Sequence, residues 1–366
     1  MLQDSNEVFK PGKYFPKDIK IPQKTDIIKV LQAYGIQDCN QITLIDSTHD
    51  ADDIRLNYIL DKKWVIRFCN PSSMTEKRLQ DIYRLIDRYR ACKIQCPQFI
   101  SDDQGVFLHQ WDYLVCYLSE YIDLPLAWDA ELPDKDQLIC EVQGSVAKFA
   151  ERYRNVDLSD TMGMYSLFDL SPFDIPAGID EKEDNFNQLI ALLKEEKEDQ
   201  LTEKLISRHS EIRKKLKAVY KELPRCVFQG DENFSNILID EKYHFAGFID
   251  FNLAGTEVIV NQLANLAGFE YDEENKKPIG AGARLEHALN YFKAHMGRIL
   301  RHYHASELEM KALTWYAWIV MLVQWPTLCY FRDCIHDEVL KNEIIELLSM
   351  IAEIPEDHLL RPLCLR

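Results

Sequence analysis

The sequence predicts an α+β protein: a small antiparallel β-rich lobe followed by a larger, mainly helical lobe. Three observations carry this. Short apolar, β-branched or aromatic runs crowd the first third of the chain, with one amphipathic helix among them. Long helical periodicities dominate after residue 122. Three short apolar runs between Cys226 and Asp250 then interrupt those helices as a β-rich island. The 366 residues exceed one small core and suit two lobes, placed at 1–122 and 123–366.

Taken in order, Pro11, Pro16 and Pro22 break the opening, and residues 26–34 suit a short helix. Residues 42–45, 54–60 and 63–68 read as strands, the last two joined by a tight turn at Asp61-Lys62. Residues 73–89 read as a helix capped by Ser72 or Ser73, with Glu76 in its first turn and Leu79, Ile82, Tyr83 and Ile86 at helical spacing. Residues 99–100, 106–108 and 113–121 complete the strands. Helices are expected at 135–153, 185–197, 201–223, 258–267, 285–302, 307–323 and 339–351, and island strands at 226–229, 237–239 and 245–250. No internal repeat is evident.

Composition narrows the function classes. Hydrophobic residues make up 46% and charged residues 28%, a globular balance that excludes wholesale disorder. Asp and Glu total 60 against 43 Lys and Arg, a net charge of −17. Such a surface repels phosphates, so no nucleic-acid partner is expected. The acidity favours cationic partners, although solubility is the commoner reason for it. The opening lacks the basic-then-apolar pattern of a signal peptide, and the longest apolar stretch, residues 312–323, is short of the roughly 20 residues a bilayer needs. A cytoplasmic protein without a membrane partner is expected; the oligomeric state is not legible. The ten cysteines contain no CxxC pair and read as reduced thiols.

The chemistry concentrates in the island. It reads CVFQGDENFSNILID from Cys226 and FAGFIDFNLAG from Phe245. A strand delivers Gly230-Asp231 into a loop, Asn236 opens the next strand five residues on, and Asp250 ends a third. Side-chain oxygens of Asp and Asn are hard ligands suited to Mg²⁺. A carboxylate beside them can take a hydroxyl proton during phosphoryl transfer.

This segment resembles the signature of the aminoglycoside phosphotransferase and choline kinase-like family, H-G-D-x-x-x-x-N-I-L followed by I-D-F. The resemblance implies a protein kinase-like two-lobed fold and a small-molecule kinase. It implies Asp231 as the catalytic base or orienter of the acceptor hydroxyl, and Asn236 and Asp250 as ligands of Mg²⁺ on the ATP phosphates. Arg67 stands where kinase-like folds place a phosphate-contacting lysine, with Glu76 as its expected partner. Ser119, Glu120, Tyr121 and Ile122 stand at the hinge, where the backbone of Glu120 and Ile122 would meet adenine. The sequence does not choose between ATP and GTP. The expected partner is a hydroxyl-bearing small molecule, with an amine-bearing acceptor mildly favoured.

Three departures qualify the match. Gln229 replaces the usual His, and its amide can still bond backbone. Arg67 replaces Lys, and the two are not interchangeable. No GxGxxG is present; Ser47-Thr48-His49-Asp50 is the segment in its place. These departures motivate the alternative of a nucleotide-binding scaffold or sensor with little transfer activity. Trp315, Trp318 and Trp325 suit core packing better than an aromatic cage, and His287, His295, His302 and His304 show no metal-ligand spacing.

Overall fold

A tight turn sets the register of the N-terminal sheet in the computed structural model. Asp61 and Lys62 both hold positive φ, 49° and 50°, and the Lys63 N–H returns to the Leu60 carbonyl at 2.9 Å. Such turns match the right-handed twist of paired strands. Strand pairing resumes between Leu60 and Trp64, so Lys63 is one residue more than a two-residue hairpin would need. The structure describes residues 2–4, 9, 10, 12–17, 19–271 and 277–360.

In chain order the elements are β1 (Leu2–Asp4), α1 (Lys24–Ala33), β2 (Ile42–Asp46), β3 (Arg55–Leu60), β4 (Trp64–Cys69), α2 (Glu76–Ala91), β5 (Phe99–Ile100), β6 (His109–Trp111) and β7 (Leu114–Glu120). Then come α3 (Lys135–Arg152), α4 (Glu181–Glu195), α5 (Asp199–Val219), β8 (Arg225–Phe228), β9 (Ile237–Ile239), β10 (Phe245–Phe248) and β11 (Gly255–Val258). The chain continues through α6 (Ile259–Ala267), α7 (Ala281–Ile299), α8 (Glu307–Val323), α9 (Trp325–Ile335) and α10 (Lys341–Glu353).

The chain forms two compact units, one of residues 1–131 with 233–250, the other of 132–232 with 251–366. The boundary expected from sequence lies at residue 122, and the first unit also takes in residues 233–250. The reason lies in main-chain bonding. Gln95 N–H donates to the Ala246 carbonyl, Phe248 N–H to the Gln95 carbonyl and Ile239 N–H to the Pro125 carbonyl, all at 2.9–3.0 Å. The β9–β10 hairpin is thereby tied to the first unit. Gly247 permits this, because a Cβ there would stand 1.9 Å from the Gln95 oxygen.

The first unit is an antiparallel sheet in the order β1-β2-β3-β4-β7-β5, with β6 pairing β7. Alternation sorts its faces. Leu56, Tyr58, Leu60, Ile66, Phe68 and Leu118 turn into a core that includes Ile27 and Leu31 of α1, together with Phe9 and Phe15. Asn57, Arg67 and Tyr117 are register partners and share the opposite face. The cap of α2 is Thr75, whose hydroxyl accepts from the Arg78 N–H, rather than Ser72 or Ser73. The strand expected at 106–108 lies three residues later as β6. Strands β1 and β11 and helix α9 have no counterpart among the elements expected from sequence.

The second unit is helical, with the β8–β11 ladder as its sheet. Helix α8 is its central rod: Trp318 and every residue from Tyr316 to Val323 are almost fully buried. Ser306 and Glu309 form a reciprocal capping box at its start. Among the described residues no single helix is long and apolar enough to cross a membrane; α8 and α9 qualify together only across a 42° bend.

Candidate active site

In the first unit, β4 presents Arg67 on the face opposite the core. Its Nε donates to Asn57 Oδ1 at 2.7 Å and its Nη1 to the Tyr117 hydroxyl at 3.4 Å. Nη1 and Nη2 donate to Asp250 Oδ1 and Oδ2 at 3.3 and 3.2 Å. Burial works against the charge on Arg67, but Asp250 and Tyr117 outweigh it and hold the guanidinium protonated. Asp250 follows β10 with φ of 52°, a left-handed conformation that costs a non-glycine residue about 1 kcal/mol or more and is common at functional positions.

Asn236 is buried, and its carbonyl accepts the Ile249 N–H at 2.9 Å. That bond brings Asn236 beside the residue preceding Asp250. The pair offers an amide oxygen and a carboxylate, both hard donors. Mg²⁺ commonly takes one or two carboxylates, substrate phosphates and waters, so this set fits it. Among the described residues no cluster of three or more His, Cys, Asp or Glu forms a self-sufficient metal cage.

Glu76 is not the partner of Arg67, which corrects the expectation. Its carboxylate accepts from the Phe107 and Leu108 N–H groups at 3.1 and 2.8 Å and from Gln80 Nε2 at 3.0 Å. It opens α2 and ties that end of the helix to the segment before β6. Asp250 takes its place at Arg67.

At the end of β7, Ser119 is buried on the Arg67 face, as the register Val65–Ser119 requires. The Glu120 N–H donates to the Gln98 carbonyl and the Tyr121 N–H to the Lys63 carbonyl, both at 2.8 Å. The Ile122 N–H has no partner among the described residues. The Glu120 side chain is pinned by Arg90 at 2.8 Å and by the Gln98 N–H at 3.1 Å. Glu120 and Ile122 also line a cavity of about 240 Å³ with Arg90, Gln95 and Cys96. In the segment 47–50, the amides of Ser47, Thr48 and His49 donate to Arg55 O, Asp46 Oδ1 and Asp53 O. Those three amides are thus spent inside the turn instead of facing a phosphate.

In the second unit, Gln229 is fully buried and its Oε1 accepts the Asp231 N–H at 2.7 Å. This is the backbone bond that Gln can supply where the motif has His. Gly230 holds φ of 84°, and a Cβ there would come within 2.8 Å of the Leu253 carbonyl oxygen. The Gly-Asp order thus has a steric cause as well as a chemical one.

Four carboxylates, Asp231, Glu232, Glu181 and Glu257, act on the phenol of Tyr165, after burial the causes of its raised pKa. Lys182 stands 4.7 Å over that ring and pairs with Glu181 at 2.7 Å. Burial pushes Glu257 up to about 8, against bonds from Asn261 and the Val258 N–H. Sequence reasoning missed Glu232, Glu257 and Tyr165, because nothing in their local pattern marks them. Trp315 and Trp318 pack in the core, with indole N–H groups on Glu356 and the Ile351 carbonyl, while Trp325 is half exposed at the start of α9. His295 is buried against Gln143, His287 bonds Glu270 and His304 bonds Glu151. The nine cysteines among the described residues are free; Cys364 lies outside them.

Several solved structures resemble this chain, the first of the three below closely enough to support the fold. A spectinomycin phosphotransferase, solved with ADP and spectinomycin, is 13% identical with a TM-score of 0.50, covering 90% of this chain and 98% of its own. A microcompartment-associated aminopropanol kinase is 10% identical with a TM-score of 0.47, covering 90% and 95%. The GDP complex of an aminoglycoside 2'-phosphotransferase is 13% identical with a TM-score of 0.45, covering 90% and 97%. No curated protein matches the sequence. The model of the phosphotransferase enzyme family matches residues 42–297, from the start of β2 through most of α7. That span takes in Arg67, Asp231, Asn236 and Asp250, and the chain is a member of the phosphotransferase enzyme family.

Proposed function

We propose that the protein is an ATP- and Mg²⁺-dependent kinase that phosphorylates a hydroxyl group of an amine-bearing small molecule. The observation that carries this is the ordered set Asp231, Asn236 and Asp250, with Arg67 turned onto Asp250 by Asn57 and Tyr117. Asp231 accepts or orients the acceptor's hydroxyl proton, so that its oxygen attacks the γ-phosphorus in line. Asn236 and Asp250 hold Mg²⁺, which when bound neutralises and orients the phosphate oxygens. Arg67 shifts part of its bonding from Asp250 to phosphate. The Ile122 N–H and the Glu120 carbonyl receive the adenine edge. Most of the rate comes from positioning and electrostatics.

The carboxylates gathered around Tyr165 support an acceptor with a cationic nitrogen, since they outnumber the cations acting on them, Lys182 and Arg225. The test is a panel of amino alcohols, aminoglycosides and sugars with ATP or GTP and Mg²⁺, read by mass detection of a phosphate adduct. Adducts confined to amine-bearing acceptors and lost in Asp231→Ala are the expected result. A second reading, nucleotide binding without transfer, draws on the Arg67–Asp250 pair, which already satisfies the expected metal ligand. It predicts a nucleotide-dependent rise in melting temperature with no adduct from any acceptor.

A further inference from the structure

Glu232 follows Asp231 directly and is half-buried. Both of its carboxylate oxygens accept from Gln262 Nε2, at 2.9 and 3.1 Å. Gln262 lies on α6 and is 1% exposed, so its amide is aimed inward and committed to this one carboxylate. The backbone N–H groups of Gly230 and Glu232 also favour the charged form of the carboxylate. The contact closes a ring. Strand β8 runs into Gln229-Gly230-Asp231-Glu232, Glu232 meets α6, α6 follows β11 directly, and β11 pairs back onto β8 through Phe228 and Gly255.

Helix α6 is itself anchored. Asn261 Nδ2 donates to the Tyr165 carbonyl at 2.6 Å, Gln143 Nε2 to the Leu266 carbonyl at 3.1 Å and Gln324 Nε2 to the Asn265 carbonyl at 3.0 Å. Together with the Gln229–Asp231 bond and the tight passage of Gly230 under Leu253, these bonds hold the loop bearing Asp231 from both sides.

We infer that Glu232 and Gln262 are positioning residues for Asp231, a clamp by which α6 sets the place of the proposed catalytic carboxylate. The inference rests on the proposed phosphotransfer for its kinetic consequence but not for its structural one. The clamp needs Glu232 ionised, because an ionised carboxylate accepts from every donor turned toward it. Burial and the neighbouring charge of Asp231 push Glu232 up to about 7, while the surrounding N–H groups and Gln262 pull it down. Other charged or titratable groups of this region are Glu257 on β11, Arg225 on β8, Glu181 and Lys182 of α4, and the phenol of Tyr165.

The test has two readouts on the full chain. Hydrogen-exchange protection of residues 230–232, corrected for intrinsic exchange at each pH, is expected to fall as pH drops from 8 to 6 in the native protein. In Glu232→Gln it is expected to be low and independent of pH. In the transfer assay, Glu232→Gln and Gln262→Ala are each expected to lower kcat about tenfold or more, with KM for nucleotide and acceptor within about twofold. The acidic limb of the kcat profile should vanish in Glu232→Gln, and the double variant should be no worse than the weaker single one. Unchanged protection in Glu232→Gln overturns the clamp whether or not transfer is detected. An acidic limb near pH 7 persisting in that variant overturns its link to Asp231. Absence of transfer in the native protein, with the exchange result as expected, overturns the proposed function alone.

Discussion

Arg67 and Asp250 stand 183 positions apart in sequence and meet through two guanidinium nitrogens and both carboxylate oxygens, at 3.3 and 3.2 Å. The pair explains how a strand cation and the carboxylate proposed to bind metal keep each other in place. On the proposed function, a bound metal and phosphate would share these groups. Arg67→Ala is expected to raise the Kd for Mg·ATP about tenfold while strengthening binding of Mg²⁺ alone at Asp250. Arg67→Lys should fall between, since a single ammonium cannot span two carboxylate oxygens in a fork. Calorimetric titration separates the two affinities, and an unchanged Kd for Mg·ATP in Arg67→Ala would sink the phosphate role.

Asp231 and Asp250 are expected to fail differently. Asp231→Asn should lower kcat by about 10²–10⁴-fold with nucleotide binding intact, the loss typical of a general base. Asp250→Asn should weaken Mg·ATP binding and leave Arg67 without its anion. Equal loss of nucleotide affinity in both variants would contradict this division of labour.

In the proposed hinge, Ile122 has an amide without a partner among the described residues, whereas Glu120 and Tyr121 spend theirs on Gln98 and Lys63. Ile122→Pro removes that N–H and is expected to raise the Kd for ATP about tenfold, the worth of one hydrogen bond left unmade. Circular dichroism should report an intact fold. An unchanged Kd would place the adenine elsewhere.

Glu257 is 1% exposed, and burial holds its pKa at about 8 in the folded protein, well above the ordinary carboxyl value. The folded state therefore holds a proton that the unfolded chain releases at lower pH. Its stabilising effect is complete below the unfolded pKa and is lost as pH rises through about 8. Glu257→Gln should melt like the native protein near pH 4 and several degrees higher at pH 8.5, at about 2–4 °C per kcal/mol. Parallel melting curves across that range would show that Glu257 is charged in the fold.

Much of the candidate site is legible in sequence because it is written in neighbouring residues. Asp231 and Asn236 fall in one loop at a fixed spacing, and Asp250 follows the β9–β10 hairpin that comes next. Gly230 precedes Asp231 because a side chain there would strike the Leu253 carbonyl, so the motif carries its own steric signature. The alternation Leu56, Tyr58, Leu60 likewise marks the buried face of β3 by its period of two.

The partner of Arg67 was not legible. The sequence offers Glu76 on the helix after β4, and local order makes it the natural choice. Only the fold shows Glu76 spending its carboxylate on the Phe107 and Leu108 amides. The extra residue Lys63 decides another partner: a two-residue turn would set Arg67 opposite Leu56, and the observed register sets it opposite Asn57. The hold of Gln262 on Glu232 needs the β8–β11 ladder to bring α6 to the loop. Chain pattern determined which groups are candidates for the chemistry, since secondary structure and motif spacing are local. Tertiary structure decided which charges neutralise which, because a carboxylate binds the donors nearest in space, and strand register and helix packing choose those donors.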